Sequence, residues 1–310
     1  MNIIKTLQRI KHSGFVLKKT TAQNIENYHD KFLIKIDKYI KYKYKKDNYT
    51  KVISGKLIPE SYTFSVNHLL FNQQISNNVN EESPLRLFCI WAGNNPVTPN
   101  RLASLEKIRK ANKDIEVILI DNSNLNKWII PEHPLPKAYK DLSYVHRSDY
   151  LRAYLMHHHG GAYSDIKDID EPWLPLINRL NLNKDAWVIG PQEISSFNCS
   201  PVKGKLGKDQ EKFFMKLICP AAMACKPRTP FTHEWLNEAQ RRLRYYEDIL
   251  EKNPAEQPWG DNLDYPVAWN ALMGQIFSPL CLKYGMNIIV DTKTNFTSVL
   301  RASVQKGNHR

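Results

Sequence analysis

The sequence lacks the features of membrane-spanning and secreted proteins. Its longest purely aliphatic run is Val117–Ile120, whereas a helix that spans a bilayer needs ~20 apolar residues. The first twenty positions contain basic residues but no uninterrupted apolar stretch followed by a small-residue cleavage site, so no signal peptide is predicted. We therefore expect a protein that stays in the cytoplasm.

Cysteine is also scarce, and its spacing is irregular. The five cysteines form no C-x-x-C pair and their number is odd, which argues against a disulfide framework and against a zinc ribbon. We expect reduced, mostly buried thiols at Cys89, Cys199, Cys219, Cys225 and Cys281.

Acidic residues are few in the first fifth of the chain. Residues 1–56 hold fourteen Lys or Arg against four Asp or Glu, a local net charge of +10, while the whole chain carries +13. A basic segment of this kind attracts nucleic acid, anionic lipid or a phosphorylated substrate.

Part of this basic segment has the periodicity of a helix. Between positions 24 and 46, apolar residues recur at three- and four-residue steps with lysines between them. Two interpretations stay open: a helix docked on the core with a solvated basic face, or a helix lying on an anionic membrane surface. The recurring apolar residues are Ile25, Tyr28, Phe32, Ile36 and Ile40.

A polar stretch divides the chain in two. Residues 74–84 are typical of a linker, and residues 1–20 are expected to be weakly ordered. We therefore expect a basic, mainly helical extension over residues 1–80 and a larger domain over residues 81–310.

Beyond the linker, strands and helices alternate. Leu85–Trp91 predicts a buried strand, Asn100–Asn112 a helix and Glu116–Ile120 a second strand, and together they form a βαβ unit. Ligands of such sheets bind beyond the carboxyl ends of the strands, where Trp91 and Asp121 are located. Further on we predict a helix with an N-cap at Ser148 and a C-terminal cap at Gly160. Two strands are predicted after it, over Gly161–Ile166 and Ala186–Gly190. Two more helices are predicted over Thr232–Lys252 and Val267–Tyr284, and Pro279 is expected to break the second.

One stretch, residues 146–168, concentrates groups suited to chemistry. Asp149 and Arg152 are three residues apart and share a helix face. The helix stops at two glycines, which allow close approach of the backbone to a ligand, and Asp165 follows at a strand end. A carboxylate there is placed to hold a hard cation, which a nucleotide-diphosphate leaving group requires.

These residues resemble the D-x-D sugar-binding region of glycosyltransferases. The matching strings are Ser148-Asp149-x-x-Arg152 and Gly160-Gly161-Ala162-Tyr163-Ser164-Asp165. The family includes capsular-polysaccharide synthesis proteins, yeast-type mannosyltransferases and the large clostridial glucosylating toxins. The segments Phe88–Gly93 and Glu116–Asp121 resemble its first two strands, so the resemblance covers about residues 85–190.

The resemblance implies an α/β, GT-A-like, Rossmann-type nucleotide-sugar-binding domain, here with the basic helical extension before it and a helical C-terminal part. It implies a hexosyltransferase-type enzyme that uses Mn²⁺ or Mg²⁺ and moves a sugar, with retention, from a UDP-linked donor to a bacterial capsule or lipopolysaccharide acceptor.

The resemblance also implies roles for individual residues. Asp149 and Arg152 would hold sugar hydroxyls, Trp91 would stack on the base, and Tyr163 would line the donor pocket. Asp165 would be the first Asp of the D-x-D motif. Ala92, Gly93, Asp121, Ser164 and Lys167 complete the expected donor-binding set, and Asp165, Asp168 and Asp261 are the expected metal ligands.

The sequence departs from the D-x-D pattern at its second position, which is Lys167. In an extended strand, residues 165 and 167 face the same side and residue 168 faces away. Two interpretations follow. Lys167 contacts phosphate directly and supplies the charge of a metal, or a local turn brings Asp168 round to complete the site.

Two other function classes compete with the enzyme. A nucleic-acid-binding protein is suggested by the basic N-terminal segment, although no zinc-finger, RNP-like or helix-turn-helix signature occurs and we expect no nucleic-acid partner. A non-catalytic relative is suggested by Lys167. The enzyme would have a nucleotide-sugar and a glycan as partners and could attach peripherally to the inner face of the membrane.

Overall fold

The computed structural model describes residues 24–37, 39–53, 56–59, 81–200 and 202–305. The expected weak order of residues 1–20 and most of the expected linker over residues 74–84 lie outside these ranges. In the part of the chain that the structure describes, no helix is long and apolar enough to cross a bilayer. The five cysteines are all free, and four of them are buried.

The N-terminal part contains a helix, α1, over residues 24–37, which ends earlier than predicted. A 3₁₀ turn follows at Lys46–Tyr49, and the antiparallel strands β1 (Thr50–Ile53) and β2 (Lys56–Pro59) form a hairpin. The hairpin was not predicted, so the extension is not purely helical.

The predicted apolar stripe of α1 does not face the core. Ile25, Tyr28 and Phe32 are 61%, 75% and 60% exposed, whereas Asp30 and Leu33 are buried. Helix α1 is thus docked on the body of the protein and its lysines Lys31 and Lys35 are solvated, but polar contacts of a different face dock it, and the apolar stripe does not.

The centre of the molecule is a six-stranded mixed sheet in the order β4-β3-β5-β7-β6-β8. Every strand is parallel to its neighbours except β7, which is antiparallel to both β5 and β6. The expected α/β class is confirmed, and the sheet is consistent with a Rossmann-like fold. The strands are β3 (Arg86–Ile90), β4 (Glu116–Ile120), β5 (Gly161–Ser164), β6 (Val188–Pro191), β7 (Ala222–Cys225) and β8 (Ile288–Asp291).

Helices cover both faces of this sheet. Along β3, Phe88 packs with α3, α6 and α7, while Leu87 and Cys89 pack with α2, α4 and α8 on the other face, as the alternation of side chains in a strand requires. The helices are α2 (Pro99–Ala111), α3 (Tyr144–His158), α4 (Leu174–Leu182), α5 (Gly204–Lys212), α6 (Pro230–Lys252), α7 (Gly274–Lys283) and α8 (Phe296–Gln305).

The boundaries of α3 differ from the prediction at one end. Its N-cap is Ser143, whose side-chain oxygen accepts a hydrogen bond from the backbone N–H of His146 at 3.2 Å. The predicted cap, Ser148, therefore lies inside the helix. At the other end, Gly160 has a φ of 63°, the left-handed conformation that glycine adopts after a helix, as predicted.

The C-terminal part is not wholly helical, since β7 and β8 come from it. The helix predicted over Val267–Tyr284 begins only at Gly274, because the preceding residues form turns. Pro279 lies within α7 and does not break it.

Candidate active site

The topology of the sheet creates a crevice between β3 and β5. From β3 the chain passes outward to β4, whereas from β5 it passes to the opposite half of the sheet. Ligands bind beyond the carboxyl ends of strands at such a switch point. Trp91 directly follows β3, and Asp165 directly follows β5.

Arg152 of α3 reaches up to the end of β5. Its Nη2 donates a hydrogen bond to the Tyr163 hydroxyl at 2.9 Å, and that hydroxyl donates to Asp165 Oδ1 at 2.8 Å. The guanidinium carbon also lies 4.2 Å from the centroid of the Tyr163 ring. A second nitrogen, Nη1, donates to the carbonyl of Pro220 beside β7 at 2.7 Å. Through these contacts, Arg152 and Tyr163 hold the Asp165 side chain in place.

Asp165 is held from the other side by Lys167. The Lys167 ammonium lies 2.8 Å from Asp165 Oδ2, and Arg152 Nη2 lies 3.5 Å from Oδ1. Burial opposes ionisation of Asp165, but the charges of Lys167 and Arg152 and hydrogen bonds from Lys167 and Tyr163 outweigh it and lower its pKa to about 2. The Asp165 side chain is 25% exposed and that of Arg152 only 9%, so Asp165 is the group that a ligand can reach.

Asp149 lies beside the same arginine, as its spacing predicts. Its carboxylate is 3.6 Å from Arg152 Nη2, and both side chains are buried. Burial raises the pKa of Asp149 to about 7; Arg152 opposes this effect and Asp165 reinforces it. The pair is therefore part of the interior below the crevice and not a surface ion pair.

Two of the three expected metal ligands lie apart from this cluster. Asp168 contacts the ammonium of Lys107 on α2 at 2.5 Å, with both side chains about half exposed. Asp261 is exposed in the segment between α6 and α7. Lys167, rather than Asp168, is therefore the neighbour of Asp165. In the described ranges, no group of three or more His, Cys, Asp or Glu residues is arranged to hold a metal ion.

The residues expected to meet the nucleotide directly follow the carboxyl end of β3. The Trp91 indole N–H donates to the Asn95 carbonyl at 2.7 Å, and the partly buried ring packs against the α2 side of the core. A Cβ on Gly93 would lie 2.3 Å from Asn95 Oδ1 and 2.9 Å from the Tyr144 ring, so a larger residue here would require these side chains to shift.

The remaining expected donor-binding residues are engaged within the fold. Asp121 accepts hydrogen bonds from the side chain and the backbone of Ser123, which lower its pKa. Ala92 and Ser164 are buried. The functional roles of these residues and of Trp91 stay predictions.

Sequence reasoning missed three residues around Asp165. Arg101 of α2 donates from Nη1 to the Ile166 carbonyl at 2.5 Å, and Lys107 holds Asp168, so α2 fixes the segment after β5. Glu193 follows β6 and is buried, and its Oε1 accepts a hydrogen bond from the Ile194 N–H at 2.8 Å. These contacts either join residues that are far apart along the chain or belong to no sequence motif. The local sequence around the three residues therefore gives no sign of them.

Glu193 makes stability depend on pH. Burial raises its pKa from 4.5 to about 7, against hydrogen bonds from Ile194 and Cys219 and the charge of Lys167. Because its folded pKa is raised, its contribution to stability is full below pH 4.5 and is lost as the pH rises through about 7.

We expect Glu193→Gln to remove this loss. At pH values above 7 the variant should be more stable than the unchanged protein by about 1–3 kcal/mol, and the difference should vanish near pH 4.5. Thermal unfolding across this range measures it, with Glu211→Gln on the exposed side of α5 as the matched control. If the unfolding temperatures of the two variants depended on pH in the same way, ionisation of Glu193 would have no cost in folding free energy and the prediction would be wrong.

The fold and the crevice together define an α/β protein with a charged cluster at the switch point of its sheet. Residues 40–166 match the family model of the capsular polysaccharide synthesis protein. The match covers less than half of the 310 residues and supports a protein of the capsule-synthesis type, compatible with a glycosyltransferase. It contains Trp91, Asp149, Arg152 and Asp165, and it ends directly before Lys167. A search among curated proteins found no match.

Proposed function

We propose that this protein is a glycosyltransferase that moves a sugar from a nucleotide-sugar onto a surface-glycan acceptor of the capsule or lipopolysaccharide type. The observation that supports this most is the linked set Arg152–Tyr163–Asp165–Lys167 at the switch point, within or next to the segment that matches capsular polysaccharide synthesis proteins. A GT-A-type fold, a UDP-linked donor and retention of configuration are further parts of the proposal, supported by the resemblance of the D-x-D-like region.

In this proposal Asp165 binds the hydroxyls of the transferred sugar. It is ionised at neutral pH, because its pKa is about 2, so it acts as a hydrogen-bond acceptor and does not act as a proton donor. Arg152 and Tyr163 are positioning residues, since they are buried and act through Asp165. A fixed carboxylate holds the sugar in one orientation, and orientation accounts for a large share of catalysis in group-transfer reactions.

The positive charge beside Asp165 suits a diphosphate. Arg152 and Lys167 carry two positive charges against the single charge of Asp165, and Asp149, with a pKa of about 7, is only partly ionised at neutral pH. Glu193, whose pKa burial raises to about 7 against the charge of Lys167, is likewise only partly ionised. Cations held at a crevice attract a nucleoside diphosphate and stabilise the negative charge that develops as the sugar departs.

The expected Mn²⁺ or Mg²⁺ ion fits these residues poorly. Asp165 Oδ1 accepts from Tyr163 and Oδ2 pairs with Lys167, so an ion at Asp165 would displace a cation and lie next to another. Mg²⁺ at phosphate-transfer sites is usually held by one or two free carboxylates together with substrate phosphates, and here both oxygens of the nearest carboxylate are already engaged. We therefore assign the charge opposite the diphosphate to Lys167 and derive no step from a metal.

Ligand-induced thermal stabilisation tests the proposed function. We expect nucleoside diphosphates, UDP among them, and the corresponding nucleotide-sugars to raise the unfolding temperature, with and without Mn²⁺. A ligand at 100 times its dissociation constant stabilises a protein by about 2.7 kcal/mol. Incubation with the stabilising nucleotide-sugar should then release free sugar slowly.

Three other results would count against the enzyme. Absence of a shift with every nucleotide would contradict the donor site. A shift without any release of sugar or transfer would favour a non-catalytic relative. Salt-sensitive retention of RNA or DNA on a filter, with no nucleotide shift, would favour a nucleic-acid-binding protein.

A further inference from the structure

Helix α1 is docked on the body of the protein through its acidic residues. Glu26 accepts a hydrogen bond from the Ser195 hydroxyl at 2.7 Å, and Asp30 accepts from the Ser196 hydroxyl at 2.6 Å. Asp37 pairs with Lys216 at 3.0 Å. The three acids of this helix thus face inward, which leaves its outward side without negative charge.

The outward side combines apolar and basic residues. On a helix with ~100° per residue, Ile25, Tyr28 and Phe32 fall within an arc of about 60°, and all three are at least 60% exposed. Lys31 and Lys35 are exposed on the adjacent arc. We call these five residues the outer face of α1.

The chain after α1 continues the same character. Tyr39 is 82% exposed and Ile40 is 41% exposed. Exposed lysines follow up to the 3₁₀ turn, at Lys41, Lys43, Lys45 and Lys46.

We propose that the outer face of α1 binds an anionic lipid bilayer. Large apolar and aromatic side chains flanked by lysines on one side of a helix bind at the boundary between headgroups and acyl chains. The inward orientation of Glu26, Asp30 and Asp37 gives this side a charge complementary to anionic headgroups, and each lysine near such a surface strengthens binding about fivefold.

The position of α1 relates its outer face to the candidate active site. Its partners Ser195 and Ser196 belong to the segment that follows β6, and β6 runs in the same direction as β5. The carboxyl ends of both strands therefore lie at the same edge of the sheet, and α1 lies at the edge that carries Asp165. A bilayer bound there would bring a membrane-anchored acceptor to the crevice. This last step rests on the proposed function, whereas lipid binding itself does not.

Sedimentation with vesicles tests the proposal. The full-length protein should sediment with vesicles of phosphatidylcholine and phosphatidylglycerol at low salt. The variant Lys31→Glu with Lys35→Glu should bind at least about 25-fold more weakly, a loss that high salt diminishes. The variant Tyr28→Ser with Phe32→Ser should lose binding at both low and high salt. All four positions are exposed, so circular dichroism and the unfolding temperature should stay unchanged.

A matched control uses the opposite edge of the sheet. Met286, which is 94% exposed, precedes β8, and the exposed Lys184 precedes β6. Met286→Ser with Lys184→Glu makes the same kinds of change and should bind vesicles like the unchanged protein.

Several outcomes would overturn the proposal. One is failure of the unchanged protein to sediment with anionic vesicles, and another is equal loss in the control and the outer-face variants. Loss of a dimer in the outer-face variants during size-exclusion chromatography with light scattering, without an effect on vesicles, would identify a protein interface instead. The nucleotide-induced thermal shift needs no vesicles, so failure of the donor site would be seen separately.

Discussion

Asp165→Asn is expected to lower sugar transfer by about 100- to 1000-fold, because the variant keeps the shape of the side chain but loses the charge that orients the sugar. Asparagine still accepts a hydrogen bond from Tyr163, so the loss would come from the ionised carboxylate. The measurement is the rate of transfer, or of donor hydrolysis, with the nucleotide-sugar that stabilises the protein.

The same substitution has a smaller cost in stability. The pKa of Asp165 falls from 3.8 to about 2 in the folded protein, so its ionised form stabilises the fold by about 2 kcal/mol above pH 4. This contribution is lost as the pH falls from about 4 to about 2, and Asp165→Asn should remove it. Activity must therefore be compared at a temperature at which the variant is folded.

Asp168→Asn is the matched control, because Asp168 is three residues away and pairs with Lys107 in solvent. A solvent-exposed pair of this kind contributes little to stability, and transfer should stay within a few-fold of normal. Equal losses in the two variants would mean that the whole segment after β5 matters and that Asp165 has no special role. Full activity of the Asp165→Asn variant would show that Asp165 is not part of the active site.

The βαβ unit could be predicted from the sequence because its signals are local. The buried strand before Trp91 and the strand Glu116–Ile120 are runs of mainly apolar residues, and the helix that starts at Pro99 has leucine or isoleucine at three-residue steps. The pattern also predicted that Asp149 and Arg152 share a helix face, because that relation depends only on the periodicity of one helix. Lys167 does lie beside Asp165, but not for the predicted reason: both residues follow the end of β5, and the Lys167 N–H donates to the Asp165 carbonyl at 2.8 Å in a turn.

Strand β7 could not be predicted in the same way. Ala222–Cys225 is a four-residue segment without β-branched residues, and it becomes a strand because β5 and β6 supply hydrogen-bonding partners on both sides. Such pairing joins residues about sixty positions apart along the chain for β5 and about thirty-six apart for β6, beyond any local pattern. The same holds for the contacts of Arg101 and Lys107 with the segment after Asp165.

Helix α1 shows why periodicity alone is insufficient. The spacing of Ile25, Tyr28 and Phe32 predicted an apolar face correctly, but it did not say what that face contacts. The orientation is set by Asp30 and the other acids, which find partners in a segment more than 150 residues away. Likewise Ser143 and Ser148 are both acceptable N-caps by residue type, and the tertiary contacts of His146 with Tyr265 favour the earlier one.

Lys167→Met is expected to weaken binding of a nucleoside diphosphate by about 10- to 100-fold. Lys167 supplies one of the two positive charges beside Asp165, and a hydrogen bond to a charged group contributes about 1.5–3 kcal/mol. The loss should be largest for the diphosphate and absent for the free nucleoside, a difference that a merely structural role of Lys167 would not produce. Titration calorimetry with both ligands measures it.

Two further variants serve as controls for the Lys167→Met result. Lys107→Met removes the ammonium of the neighbouring Lys107–Asp168 pair, which lies in solvent, and should leave nucleotide binding unchanged. Lys167→Arg keeps the charge and should retain more affinity than Lys167→Met, although the planar guanidinium cannot replace the ammonium at the same position.

Lys167→Asp tests whether the lysine stands in place of a metal. The substitution puts a second carboxylate beside Asp165, where the Lys167 side chain now lies, and two carboxylates are a suitable start for a divalent-cation site. We expect the unchanged protein to bind the diphosphate equally well in EDTA and in Mn²⁺, and the Asp variant to bind it only with Mn²⁺. If the unchanged protein already requires Mn²⁺ and Lys167→Met does not weaken that binding, then the metal and not Lys167 neutralises the diphosphate, and the assignment of charge to Lys167 is wrong.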